Sequence, residues 1–74
     1  MEQEVIQVIA EQLSMDPEKI TGASNLVEDL KADSLDIAAL MLELEEKYKI
    51  EIPDEELGNL RTVADIAAYI GARQ

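Results

Sequence analysis

Residues 34–48 carry two apolar stripes where a surface helix of a small domain needs one. Ile37, Leu40, Met41, Leu44 and Tyr48 recur at i, i+3, i+4, i+7 and i+11, the pattern of a core-facing helix. Leu35, Ala38, Ala39 and Leu42 repeat the spacing, and steps of ~100° per residue place them well around the helix from the first set. In a chain of 74 residues, such a helix is either enclosed at the centre or leaves one stripe in water as a docking surface. The second stripe runs into Glu45 and Glu46 and is flanked by Asp36 and Glu43, which favours the exposed arrangement. Ser34 falls between the stripes.

The remaining periodicity is also helical. Ile6, Ile9, Ala10 and Leu13 predict an amphipathic helix over roughly residues 3–14. Asp16-Pro17-Glu18 has a capping Asp followed by Pro and predicts one short turn. From Thr21 to Asp33 the chain reads as a long loop, broken by Gly22 and Ser24-Asn25 and anchored by Ile20, Leu26 and Leu30. A structureless stretch of that length in a small domain points to function. Asp33 is the expected cap of the helix from Ser34 to Tyr48, and Asp36 adds negative charge to its first turn. Pro53-Asp54-Glu55-Glu56 opens a short helix expected to end at Gly58, and Thr62-Val63-Ala64-Asp65 is a capping box for a last helix whose inner stripe is Val63, Ile66, Ala67 and Ile70. The expected fold is all-α: a small four-helix bundle of three longer helices and one short one, in a single domain spanning residues 1–74, with a long loop between helices one and two. The expected core is Ile6, Ile9, Leu30, Ile37, Leu40, Met41, Leu44, Ile52, Leu57, Leu60, Val63, Ile66 and Ile70.

Charge narrows the partners. Seventeen Asp and Glu face six Lys and Arg, a formal charge of −11. That field repels nucleic acid and anionic membrane surfaces and attracts basic protein surfaces. No apolar run approaches the roughly 18 residues of a membrane span. The acidic opening Met1-Glu2-Gln3-Glu4 leads one to expect neither a secretory signal nor a transit peptide. Asp54-Glu55-Glu56 lacks the ligand spacing of a calcium loop, so no specific metal site is expected.

Ser34 lies in Ala32-Asp33-Ser34-Leu35-Asp36, where a polar loop gives way to the two-striped helix. The chain contains no histidine and no cysteine. A serine between two aspartates, with no base of the usual kind, is poorly equipped as a nucleophile in its own enzyme. It is well placed to be modified by another protein.

Asn25-Leu26-Val27-Glu28-Asp29-Leu30-Lys31-Ala32-Asp33-Ser34-Leu35-Asp36 closely resembles the modification site of the acyl carrier protein family, specifically its free-standing members in bacterial-type fatty-acid synthesis. Leu44-Glu45-Glu46-Lys47-Tyr48, Ile50-Glu51-Ile52-Pro53-Asp54-Glu55-Glu56 and Thr62-Val63-Ala64-Asp65 with Ile70 extend the resemblance over nearly the whole chain. It implies a carrier rather than an enzyme. A phosphopantetheinyl transferase would move 4′-phosphopantetheine from coenzyme A onto Ser34, and the thiol of the arm would carry acyl intermediates as thioesters between fatty-acid or related synthase enzymes with basic docking patches. A cytoplasmic monomer is expected. Carried over residue by residue, Asp33, Leu35, Asp36, Leu42, Glu45 and Glu46 would meet those partners, with Ala38 on the same stripe. Ile37, Leu44, Ile52, Leu57 and Leu60 are expected to form an acyl pocket, opened by the parting of helices two and three.

Lys31 stands where the fatty-acid members commonly have Gly, Leu26 where an aromatic is common, and Ala39 where an acid is frequent. These departures leave open a primary or a specialised carrier. A peptidyl- or D-alanyl-type carrier is the alternative within the superfamily, and an unmodified acidic helical adaptor the alternative outside it.

Overall fold

The computed structural model describes residues 1–74 and contains three α-helices: α1 (Glu2–Leu13), α2 (Ser34–Tyr48) and α3 (Val63–Arg73). Helix α1 starts without a side-chain cap, but Glu2 and Glu4 place negative charge in its first turn, where the dipole favours it. It ends at Ser14, whose left-handed backbone (φ 56°) turns the chain so that Ser14 N and Met15 N both donate to Ala10 O. Lys49 (φ 57°) ends α2 the same way, with Lys49 N and Ile50 N sharing Glu45 O. Two 3-10 segments complete the helical content, Pro17–Lys19 and Asp54–Asn59. Asp16 caps the first as expected, its carboxylate accepting from Glu18 N at 2.9 Å. The second is the short fourth helix. It is 3-10 rather than α, with Leu60 N donating to Leu57 O, and it runs through Gly58 instead of stopping there.

The core is wholly aliphatic and contains no buried polar side chain. Helix α1 packs on both α2 and α3 and buries Val5, Ile6, Val8, Ile9 and Ala10. Helix α2 contributes Leu40, Met41 and Leu44, and α3 contributes Val63, Ile66, Ala67 and Ile70. Two expected core residues, Ile37 and Leu57, are only half-buried and pack against this cluster from outside. Val5 and Val8 widen the α1 stripe beyond its simple i, i+3, i+4 pattern, and the loop residues Ile20, Leu26 and Ala32 are buried as fully as helical ones.

The loop over residues 21–33 is held by its own polar side chains and by the segment leading into α3. Asn25 Oδ1 accepts from Val27 N and Glu28 N, each at 2.9 Å, and Asp29 accepts from Asn25 N at 2.7 Å. Leu26 N donates to Arg61 O, Val63 N to Ser24 O and Ala64 N to Gly22 O. One isolated bridge, Asn25 to Thr62, is all the β-pairing present. Leu26, 1% exposed, plugs the loop into the core.

Within this loop Lys31 adopts φ 60°. A side chain with a Cβ costs roughly 1–2 kcal/mol in that region and glycine costs almost nothing. Lys31→Gly should therefore be more stable to urea than Lys31→Ala by about 1 kcal/mol, both variants having lost the same charge. Equal midpoints would show that the left-handed turn is not strained.

Tyr48 ties α2 to α1 by donating its hydroxyl to Glu4 Oε1 at 3.0 Å. Partial burial, then the bond to Glu4 and the charge of Glu4, push the phenol from an ordinary 10.0 up to about 12. A raised pKa means that the folded state favours the neutral phenol. Its contribution is complete below pH 10 and is lost as pH rises towards 12. Tyr48→Phe should flatten the fall in stability between pH 10 and 12, measured by denaturant midpoints. An unchanged alkaline slope would contradict this.

Candidate functional site

The site is built by the cap of α2. Asp33 has extended backbone and its Oδ1 accepts from Asp36 N at 2.9 Å, while Asp36 Oδ2 accepts from Asp33 N at 3.2 Å. The two aspartates form a reciprocal capping box, so Ser34 becomes the first helical residue and is freed from capping. Its hydroxyl makes no hydrogen bond and its side chain is exposed. The other two serines differ. Ser24 Oγ accepts from Thr21 N at 3.0 Å, and Ser14 lies at the left-handed end of α1. The backbone N–H groups of Ser34 and Leu35 lack acceptors and face the end of a 15-residue helix where its dipole favours an anion.

A groove of about 440 Å³ opens beside Ser34. Its walls are the loop residues Asn25, Leu26, Val27 and Glu28, the α2 residues Ser34, Ile37 and Ala38, and Leu57, Leu60 and Arg61 before α3. The half-burial of Ile37 and Leu57 follows from this opening. Of the five residues expected to form an acyl pocket, Ile37, Leu57 and Leu60 line the groove. Leu44 and Ile52 are buried in the core and lie outside that lining.

The second stripe of α2 is in water. Leu35 is 79% exposed and Leu42 is 60% exposed, with Ala38 exposed between them and Ala39 half-buried. Val27, exposed at the groove wall, adds apolar surface on the loop side. The acids around this face are not equivalent. Glu46 is exposed, whereas Glu45 is half-buried and its Oε2 accepts from Ile52 N at 2.6 Å, pinning the segment after α2. Asp33 and Asp36 are engaged in the cap. No group of three His, Cys, Asp or Glu side chains is arranged to hold a metal ion.

At the start of α3, Thr62 and Asp65 form the expected capping box. The Thr62 N–H, and less strongly that of Arg61, hold the Asp65 carboxyl below its ordinary range, and the Arg61 charge adds to this. Arg61 itself was not among the expected site residues, and neither were Asn25, Val27 or Glu28. Their signal lay in the loop pinning seen only in three dimensions, where Leu26 N meets Arg61 O.

The chain is thus a small helical bundle with an unencumbered serine at a helix start, beside a groove and an exposed apolar stripe. The phosphopantetheine attachment site family profile matches residues 3–70. The acyl carrier protein of Helicobacter hepaticus (strain ATCC 51449 / 3B1) is 51% identical over 67 residues, covering 90% of this chain and 88% of that protein. That of Rickettsia canadensis (strain McKiel) is 49% identical over all 74 residues, covering 86% of its own length. Among solved structures, a candidate acyl carrier protein from Anaplasma phagocytophilum superposes with a TM-score of 0.89 at 34% identity, covering 99% of this chain and 86% of that one. One from Mycobacterium tuberculosis gives 0.88 at 32%, with both chains fully covered. The chain belongs to the acyl carrier protein family, whose members are carriers of phosphopantetheine and not enzymes.

The two neighbouring acids on α2 give a direct check of the site's geometry. Glu45→Ala should lower stability by about 1–2 kcal/mol, because a part-buried N–H loses a charged acceptor. Glu46→Ala should stay within about 0.5 kcal/mol of the parent. Equal losses in chemical denaturation would contradict the pinning role of Glu45.

Proposed function

We propose that Ser34 Oγ is the point at which 4′-phosphopantetheine is attached, and that residues 1–74 act as one carrier domain for acyl thioesters in fatty-acid or related synthesis. The observation that carries this is the freedom of Ser34: Asp33 takes the cap, so the hydroxyl at the groove mouth has no competing partner. The local chemistry fits the group. A phosphodiester on Ser34 is anionic, and the free N–H groups of Ser34 and Leu35 with the helix dipole favour negative charge there. The arm supplies a terminal thiol on which acyl groups ride as thioesters.

The chain's own part in attachment is to present an oxygen. With no histidine in the chain, the transferase must remove the Ser34 proton. Ser34 Oγ then forms a bond to the phosphorus nearer the pantetheine, and the pyrophosphate bond breaks to release adenosine 3′,5′-bisphosphate. Leu35, Ala38 and Leu42 are the apolar contact for the transferase and the synthase enzymes. Glu46 and the outer edges of Asp33, Asp36 and Glu45 steer basic patches towards that contact. A small apolar contact with charges at its rim suits partners that must dock and leave repeatedly. The groove lined by Ile37, Leu57 and Leu60 gives the thioester a place out of water, at about 0.8 kcal/mol per CH₂ buried before the cost of widening. Leu44 and Ile52 are buried in the core outside this lining and would be reached only by longer chains. The chain has no helix long and apolar enough to cross a membrane. Its proposed role is that of a cytoplasmic carrier acting as a monomer.

Incubation with coenzyme A and a broad-specificity transferase should raise the intact mass by one phosphopantetheine, and Ser34→Ala should abolish the gain. In the same assay Leu42→Glu should slow modification by about tenfold without loss of stability, since Leu42 is exposed. A parent chain that gains no mass is an adaptor rather than a carrier.

A further inference from the structure

Six cations oppose seventeen acids in this chain, and only one of the six, Arg61, lines the groove that opens on Ser34. Its backbone is fixed to the opposite wall, since Arg61 O accepts from Leu26 N at 2.9 Å. Its side chain is anchored as well: Nε donates to Gly58 O at 3.0 Å. That bond occupies one donor of the guanidinium; its charge also acts on the nearby Asp65 carboxyl, but the outer Nη groups make no hydrogen bond. An anchored, exposed guanidinium with free donors at the rim of a groove is a site for an oxygen anion.

The surroundings say which anion needs it. Ser34 is flanked by Asp33 and Asp36, and Glu28 lies on the same groove. A phosphodiester placed on Ser34 enters a field that is otherwise repulsive, and the helix end offsets that only within its first turn. No lysine lines the groove. Covalent attachment at Ser34 keeps the phosphate beside the groove at high local concentration, so even a weak pairing is populated.

We propose that Arg61 is a positioning residue for the arm: its Nη groups pair with the phosphodiester on Ser34 and lay the arm along the groove between residues 25–28 and 57–61. This rests on Ser34 being the attachment point. The consequence is a division of surfaces. With the arm drawn to the groove side, the Leu35 and Leu42 face stays clear for partners while the cargo is held near Ile37, Leu57 and Leu60. The pairing is exposed to water, so it shifts the ratio of docked to free arm by about threefold and weakens with salt.

The test uses the full chain carrying the arm with its thiol free, compared with the unmodified chain, in the parent, Arg61→Gln and Arg61→Lys. Two signals are read: the ³¹P resonance of the phosphodiester and the side-chain Nε–Hε resonance of Arg61. The expected result is that the Arg61 resonance moves on attachment. The ³¹P resonance should be displaced in Arg61→Gln, largely restored in Arg61→Lys, and brought to the Arg61→Gln position in the parent by high salt. Equal displacement in both variants would assign Arg61 a structural role through Gly58 and overturn the proposal. So would an Arg61 resonance that moves only after an acyl group is loaded, which would make the residue a reader of cargo. A normal protein-bound ³¹P resonance indifferent to residue 61 sinks this proposal alone, whereas no protein-bound ³¹P resonance sinks the attachment reading with it.

Discussion

The reciprocal cap between Asp33 and Asp36 is the contact on which the rest of the site depends. A helix start has orphan N–H groups, and serine is among the residues that usually satisfy them. Here Asp33 does so and Asp36 returns the bond to the Asp33 N–H. Ser34 is thereby moved one position into the helix, with its hydroxyl in water and two unclaimed N–H groups beside it. An aspartate cap points one carboxylate oxygen at the backbone. The same two residues can still show a negative edge to a basic partner. The proposed attachment and the proposed recognition both rest on this one local arrangement.

The cap is held in place by a loop that behaves as part of the core. Leu26, Leu30 and Ala32 are buried, and the backbone from Gly22 to Leu26 is bonded to the residues that lead into α3. This fastening creates the groove, because residues 25–28 and 57–61 are brought face to face beside the first turns of α2. Hydrogen-bonded backbone lies on both sides of the groove, with Leu26, Val27, Ile37, Ala38, Leu57 and Leu60 as its apolar lining. The core contains no Phe or Trp, and its members are Ile, Leu, Val, Ala and Met, several of them able to change rotamer at small cost.

Periodicity made the helices and the exposed stripe legible. Leu35 and Leu42 could be assigned to water because two stripes on α2 exceed what a short chain can cover, and their exposure agrees with that reasoning. The capping pair Thr62 and Asp65 was equally legible as a motif. Other features were hidden because they depend on contacts between segments. Glu45 and Glu46 look alike in sequence, yet the turn at Lys49 brings Ile52 N back to Glu45 alone. Ile37 and Leu57 carry core residue types at core spacing, but the loop leaves a gap beside them, so they line a groove. Arg61 gave no local signal, since its importance comes from the pairing of its backbone with Leu26. Lys31 occupies a left-handed turn of the kind glycine enters without cost, which no local pattern announced.

The proposed attachment at Ser34 is a choice of one serine among three. Fragmentation mass spectrometry of the modified chain decides it directly, by locating the pantetheine-bearing residue within the sequence. The prediction is that fragments containing Ser34 alone carry the group. A group found on Ser14 or Ser24 instead would contradict the role assigned to the Asp33–Asp36 cap.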